Sequence, residues 1–255
     1  MSSNRVIDPR AAERRRSLLL TLAAVTVLVV VAAVVIIVTT RGENSNSNAA
    51  NDGLDGRGGD AVPTVVTDNG AIRLTGAPAG TTPPVIVTIT EDFQCPACAQ
   101  FETVMGPALA PYHSNPEVAV DYVSINMLDR ASTTQYSTRA ANASMCVAEK
   151  TGKDGDLSTW LEYHNMLFAN QPPEGGAGLA DAELIRLAKE VGVDDISSCV
   201  EDVPYKKWIG ENSEKVMSEP GFTGTPNVRI NGEVVQVNDG ADLQNKINAA
   251  VEAAK

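Results

Sequence analysis

The sequence predicts an α/β domain carried behind one N-terminal transmembrane helix and a flexible tether. Three observations lead there. Short β-branched runs alternate with longer runs of helical spacing, a block of helical runs interrupts that order before an Asn-Gly hairpin, and 24 consecutive residues near the N-terminus carry no charge. With 255 residues, 43% of them hydrophobic and 20% charged, the chain suffices for one main domain with attached segments and has a globular balance.

The uncharged run is Ser17 to Thr40, filled almost wholly by Leu, Val, Ile and Ala. At about 1.5 Å per residue it spans the ~30 Å hydrocarbon core of a bilayer. Arg14, Arg15 and Arg16 precede it, which keeps residues 1–16 in the cytoplasm and places the rest outside. A cleaved signal peptide is the alternative, but its apolar region is typically ~7 to 15 residues long. Residues 41–61, mostly Gly, Asn, Ser, Asp and Ala, offer too little apolar surface to offset ordering and read as a disordered linker. The folded body is expected from Val62 to Lys255.

Within that body Val65, Val66, Ile72 and Leu74 suggest a first extended segment, and Val85 to Thr90 a buried strand. Phe101, Val104, Met105 and Leu109 then have helical spacing, with Gly106-Pro107 expected to kink or interrupt the helix. Val118 to Ser124 is the next strand. Helical runs follow at about 133–150, 157–170, 181–191, 195–201 and 205–218. Asn227 to Ile230, Asn231-Gly232 and Glu233 to Val237 read as a hairpin, and a closing helix spans about 241–254. No internal repeat is present.

Charge excludes one large class of function. Residues 1–16 are net +3 and Arg41 adds one, so the remainder carries −16 of a total of −12. Such an acidic body repels a phosphate backbone, and no nucleic-acid partner is expected.

Chemistry is concentrated at Cys95-Pro96-Ala97-Cys98, where a strand hands over to a helix. Free N–H groups and the positive end of the dipole favour a thiolate on Cys95 there, and Pro96 suits the first turn because its missing donor has no partner to lose. The two-residue spacing lets Cys98 attack a sulfur bonded to Cys95, so Cys95 forms a mixed disulfide and Cys98 resolves it. Half of a zinc site and an inert structural pair are the alternatives. The remaining candidate ligands, Cys146, Cys199, His113 and His164, show no paired ligand spacing, and no metal and no cofactor are expected.

Asp92-Phe93-Gln94-Cys95-Pro96-Ala97-Cys98, then Glu162 to Asn170, then Gly224-Thr225-Pro226 before the hairpin, resembles the DsbA-like thiol–disulfide oxidoreductases of the thioredoxin superfamily. The likeness covers about 85–255. It implies a thioredoxin fold with an inserted helical domain at about 130–219, in a membrane-anchored extracytoplasmic form. It also implies that Cys95 is the nucleophile, Cys98 the resolving cysteine and Pro226 a cis-proline facing them. Pro96 and Ala97 would tune the pair, and Thr225 would bind an extended substrate segment through its backbone. By resemblance the partners are exported cysteine-containing proteins and a membrane quinone-linked protein that reoxidises the pair. The activity implied is introduction of disulfides; reductase or isomerase action, or a non-enzymatic tethered binding or chaperone module, are the alternatives.

One departure stands out. Many relatives carry a buried carboxylate six residues before the first cysteine, where this chain has Ile89. Glu91 and Asp92 lie nearby on opposite strand faces, as candidates for a proton relay to Cys98 or as solvated loop-edge carboxylates. Cys146 and Cys199 fall in separate helices of the insertion. Outside a reducing cytoplasm they are expected to pair, closing a loop of about 50 residues, with two buried free thiols as the alternative. His164 reads as a packing or capping residue, and Trp160 and Trp208 as core or interdomain anchors.

Overall fold

Five short strands rich in β-branched residues form one sheet in the computed structural model, which describes Leu54 and residues 56–255. They are β1 (Ile72–Thr75), β2 (Val85–Glu91), β3 (Val118–Ser124), β4 (Asn227–Ile230) and β5 (Glu233–Val234), in the order β1-β3-β2-β4-β5. β2 is central, parallel to β3 and antiparallel to β4. Its alternation explains that place: Val85, Val87, Ile89 and Glu91 are wholly buried along one face, and Thr90 is buried on the other. All seven residues of β3 are buried, including Asp121, whose carboxylate pairs with Arg73 of β1 at 2.6 Å.

Helix α1 (Pro96–Leu109) links β2 to β3. The insertion between β3 and β4 supplies α2 (Tyr136–Thr151), α3 (Ser158–Ala169), α4 (Asp181–Glu190), α5 (Ser197–Asp202) and α6 (Lys206–Met217), and α7 (Gly240–Ala253) closes the chain. Every residue of α2 from Tyr136 to Ala148 is buried, which its run of Ala, Ser and Thr permits because small side chains let neighbouring helices approach closely. The buried Arg139 is satisfied by Asp181 and by the carbonyls of Thr134, Ala177 and Leu179. Cys146 of α2 and Cys199 of α5 are joined by a disulfide.

Local chemistry sets several boundaries. Asn231 and Gly232 have φ of 51° and 86°, the left-handed pair that a two-residue hairpin requires, and the Asn231 side chain accepts from the Ile86 N–H at 2.8 Å. Asp239 caps α7 by accepting from the Asp242 N–H at 2.8 Å. Helix α2 begins at Tyr136 rather than Thr133 because the Ser132 hydroxyl first takes the Thr134 and Tyr136 N–H groups.

Three expectations are corrected. Gly106-Pro107 does not interrupt α1; the proline sits in its last turn, and the chain then tightens into a 3₁₀ turn over Ala110–Tyr112. Val65 and Val66 lie in a bend and not in a strand, so the first strand is only Ile72–Thr75. The packed body also begins before Val62. Leu54 is wholly buried, the Gly59 and Ala61 N–H groups bond Val203 and Pro204, and Arg57 pairs with Asp181 at 2.6 Å. The expected cytoplasmic N-terminus at 1–16, the expected anchor at 17–40 and most of the expected linker lie outside the described residues, and no helix among the described residues is long and apolar enough to cross a membrane.

Candidate active site

The Cys95–Cys98 motif occupies the junction of β2 and α1, with Cys95 as the residue that caps the helix in an extended conformation and Pro96 as its first turn. Two features hold this junction. Asp92 is wholly buried, and its carboxylate accepts from the Gln94 N–H at 2.8 Å, the Leu128 N–H at 2.9 Å and the Ser137 hydroxyl at 2.6 Å. From the other side Gln171, just past α3, donates to the carbonyls of Phe93 at 3.0 Å and Cys95 at 2.9 Å. The motif is therefore clamped between the sheet and the inserted helices.

The two thiols, both free, differ in exposure and in charge. Cys95 keeps 7% of its surface in solvent while Cys98 keeps none, so an incoming sulfur meets Cys95 first. The Cys98 thiol donating to the Cys95 sulfur is the largest influence on Cys95. Burial opposes it, but the Thr225 side chain and the backbone of Cys98 and Ala97 add to it, and the Cys95 thiol falls to about 5. The same hydrogen bond, then burial, then the charges of Cys95 and Glu91 push Cys98 far above the ordinary thiol range. Near neutral pH the outer sulfur is a thiolate and the inner one holds a proton.

Facing the pair, the Thr225–Pro226 peptide is cis, and the Thr225 carbonyl oxygen lies 3.4 Å from the Cys95 sulfur. The Thr225 hydroxyl is buried, and among the described residues it has no partner beyond that sulfur. A cavity of about 380 Å³ adjoins it, lined by Phe101, Met105, Thr225, Pro226, Val235 and Val237 among others. Pro96 and Ala97 are exposed at the rim.

Beneath the pair the carboxylates are not the solvated loop-edge groups that the sequence also allowed. Both Glu91 and Asp92 are wholly buried, and they do different things. Asp92 is the structural clamp; burial carries it up to about 6 against the hydrogen bonds from Ser137, Gln94 and Leu128. Glu91 follows Ile89 on the face covered by α1 and α3, and its Oε1 meets His164 Nε2 at 2.5 Å. Burial alone would lower His164, but the charge and hydrogen bond of Glu91 outweigh it and raise the imidazole to about 9. His164 is thus more than the packing or capping residue expected, although it also sits within 5.0 to 5.7 Å of the rings of Tyr122, Phe168, Trp160 and Phe93.

Glu102 was not singled out from the sequence. It lies four residues after Cys98 on the buried stripe of α1, burial first and Glu91 second lift it to about 8, and its Oε1 has no partner among the described residues. A charged residue on an otherwise apolar stripe was the available signal. Among the described residues Glu91, Glu102 and His164 form the one such group compact enough for a cation, with facing atoms within 4.8 Å. Glu91 Oε1 and His164 Nε2 bond each other directly, which takes up the only imidazole nitrogen facing the group, so we assign no metal there.

These observations meet three similarities. The thioredoxin family model matches residues 73–249. The oxidised form of DsbA from Mycobacterium tuberculosis is 32% identical with a TM-score of 0.61, covering 72% of this chain and 97% of that one. The reduced DsbG of the same organism is 32% identical with a TM-score of 0.62, covering 74% and 94%. The serine/threonine-protein kinase PknE of M. tuberculosis is 30% identical over 164 residues, which is 61% of this chain but only 28% of the kinase, so the chain spans less than a third of that curated relative's length. With the paired thiols, the cis-proline and the inserted helices all in the places that such folds use, the chain belongs to the thioredoxin superfamily, among the DsbA-like thiol–disulfide oxidoreductases.

Proposed function

We propose that the protein is an extracytoplasmic dithiol oxidase that introduces disulfides into exported proteins, with Cys95 as nucleophile and Cys98 as resolving residue. The observation that carries this reading is the opposite protonation of the two sulfurs, Cys95 down to about 5 and Cys98 far up. A stabilised thiolate stabilises the reduced form, and a stabilised reduced form makes the disulfide a stronger oxidant. In the forward step a substrate thiolate bonds to Cys95, the Cys95–Cys98 bond breaks, and its electron pair leaves on Cys98. A second substrate thiolate then attacks the first substrate sulfur and releases Cys95 as a thiolate. The Thr225 backbone at the cis-proline aligns the extended substrate, and the cavity beside it, which mixes Phe101 and Met105 with Thr223, Asn227 and Gln236, takes neighbouring side chains.

The finer parts of this reading rest on sequence and likeness. Residues 17–40 anchor the protein, the acidic body lies outside, and a membrane quinone-linked protein reoxidises the pair. Equilibration of the Cys95/Cys98 pair with glutathione tests the direction: a potential near those of strong oxidants, about −120 mV, supports an oxidase, and one near −270 mV assigns a reductase instead.

A further inference from the structure

Cys98 has no exposed surface, so a proton entering or leaving its sulfur has to cross the protein. One side offers polar groups in succession. Glu91 acts on Cys98 through its charge and has a buried oxygen, Oε2, without a hydrogen-bond partner among the described residues. His164 bonds Glu91 at 2.5 Å, and facing atoms of Glu91, His164 and Glu102 all lie within 4.8 Å of one another. Glu102 in turn lines a cavity of about 400 Å³ between α1 and α3, opening toward Thr103, Pro107, Asn165 and Ala169. Thr103, Pro107, Asn165 and Ala169 are exposed.

We propose that Glu102 is the outlet of a proton path running from Cys98 through Glu91 and His164 to this cavity, on the face of α1 away from the substrate groove. The inference rests on the dithiol chemistry proposed above and adds a route to it. In the resolving step the Cys98 proton passes to Glu91, the Cys98 sulfur bonds to Cys95, and the substrate sulfur leaves with the electron pair. The buried cluster then holds one proton too many for its surroundings, and Glu102 releases one to water. In the opposite step Glu102 takes a proton up and the Cys98 thiolate is quenched. The path thus opens only to the side where no substrate binds, which leaves the Cys95 thiolate unquenched.

The groups that act on Glu102 are Glu91 from β2, Tyr122 from β3 and His164 from α3, with Cys98 one turn before it on its own helix. His113 contacts Tyr122 at 3.0 Å, and burial holds it down at about 4. Against its burial, His164 is raised to about 9 by Glu91, so the variants assign the bend: it reports Glu102, which burial lifts to about 8, where Glu102→Gln removes it and Glu102→Asp restores it. Glu102 here is a positioning residue, and the readout is the pH profile of resolution. Full-length wild type, loaded with a mixed disulfide of Cys95 and a chromogenic aryl thiol, should release the thiol at a rate that rises with pH and levels off near pH 8. In Glu102→Gln the levelling should vanish and the rate at pH 7 should fall about tenfold or more, while attack on the oxidised pair by glutathione at saturating buffer stays within twofold. Glu102→Asp should restore the bend. A wild-type rate that climbs about tenfold per pH unit through pH 9 overturns the proposal even if Glu102→Gln does not fold. If wild type fails to release the thiol at all, the oxidoreductase reading itself fails, which is a distinguishable result.

Discussion

The molecule holds two cysteine pairs that differ in nearly every physical respect. Cys95 and Cys98 are two residues apart at the start of a helix, free, and set below the cis-proline, whereas Cys146 and Cys199 are bonded 53 residues apart between two helices of the insertion. A bond across two residues removes little freedom from the unfolded chain, so the first pair contributes almost nothing by constraint. The second closes a long loop and contributes by that means. What the first pair has instead is asymmetry: one sulfur is stabilised as an anion at the edge of the core, where solvent just reaches it, and the other as a thiol wholly inside. Placement separates exchange chemistry from cross-linking, although the bond is the same.

The strongest break in that comparison is removal of one sulfur at a time. Cys95→Ala should abolish dithiol turnover, while Cys98→Ala should retain attack and accumulate reducible adducts between Cys95 and exported proteins, because nothing remains to resolve them. Non-reducing gels of cells producing Cys98→Ala read this directly, and the absence of adducts where wild type is active counts against Cys95 as nucleophile.

The converse holds for the second pair. The double change Cys146→Ala and Cys199→Ala should lose about 4 kcal/mol in urea unfolding by the chain-entropy model, with the Cys95 reactivity retained in the folded protein. In wild type, reductant that opens Cys95 and Cys98 should leave Cys146–Cys199 intact, as mass mapping after alkylation will show. A loss below about 1 kcal/mol would mean that the packing of α2, buried from Tyr136 to Ala148, holds the insertion by itself.

The two regions were also unequally legible. Motif, strand and hairpin signals are local, so Val118–Ser124 and Asn227–Ile230 could be delimited to the residue and the Cys95–Cys98 pair placed at a helix start. The support beneath the pair is non-local. Glu91 and His164 are 73 residues apart, and Gln171 reaches back 76 residues to the Cys95 carbonyl, so no window of sequence contains both partners. The alternation that set Glu91 and Asp92 on opposite faces was informative about direction only, since burial of both depends on the insertion folding over the strand end. At Pro107 only the interruption failed to appear: the helix continues through it and ends two residues later, at Leu109.

A finer test of the asymmetry uses pH. With Cys95 titrating at about 5 and Cys98 far above, reduction between pH 5 and 8 takes up one proton for two electrons. The potential should then fall by about 30 mV per pH unit, against about 59 mV for a pair that stays fully protonated. The sign for stability follows: folding lowers the Cys95 pKa, so the reduced protein gains stability that is complete above the unfolded value of about 8.5 and lost as pH falls through about 5. Alkylation of Cys95 should show the same midpoint. A slope near 59 mV throughout would remove the thiolate from the mechanism.

The smallest expected effect lies at Ala97, which is exposed and contributes to Cys95 only through its backbone. The hydrogen bond from Cys98 is the leading stabiliser of the thiolate, and it is already present, so a further donor adds to a well-served sulfur. Ala97→His brings an imidazole to the rim, where solvent weakens its charge but not a direct hydrogen bond. The Cys95 pKa should fall by less than one unit, and the potential should rise, with each ~30 mV a tenfold change in the exchange equilibrium. Thiolate absorbance against pH, together with equilibration against glutathione, measures both quantities on one sample. The two should move together and Cys146–Cys199 should not respond. A shift in potential without a shift in pKa would place the control at Cys98 and the buried groups under it rather than at Cys95.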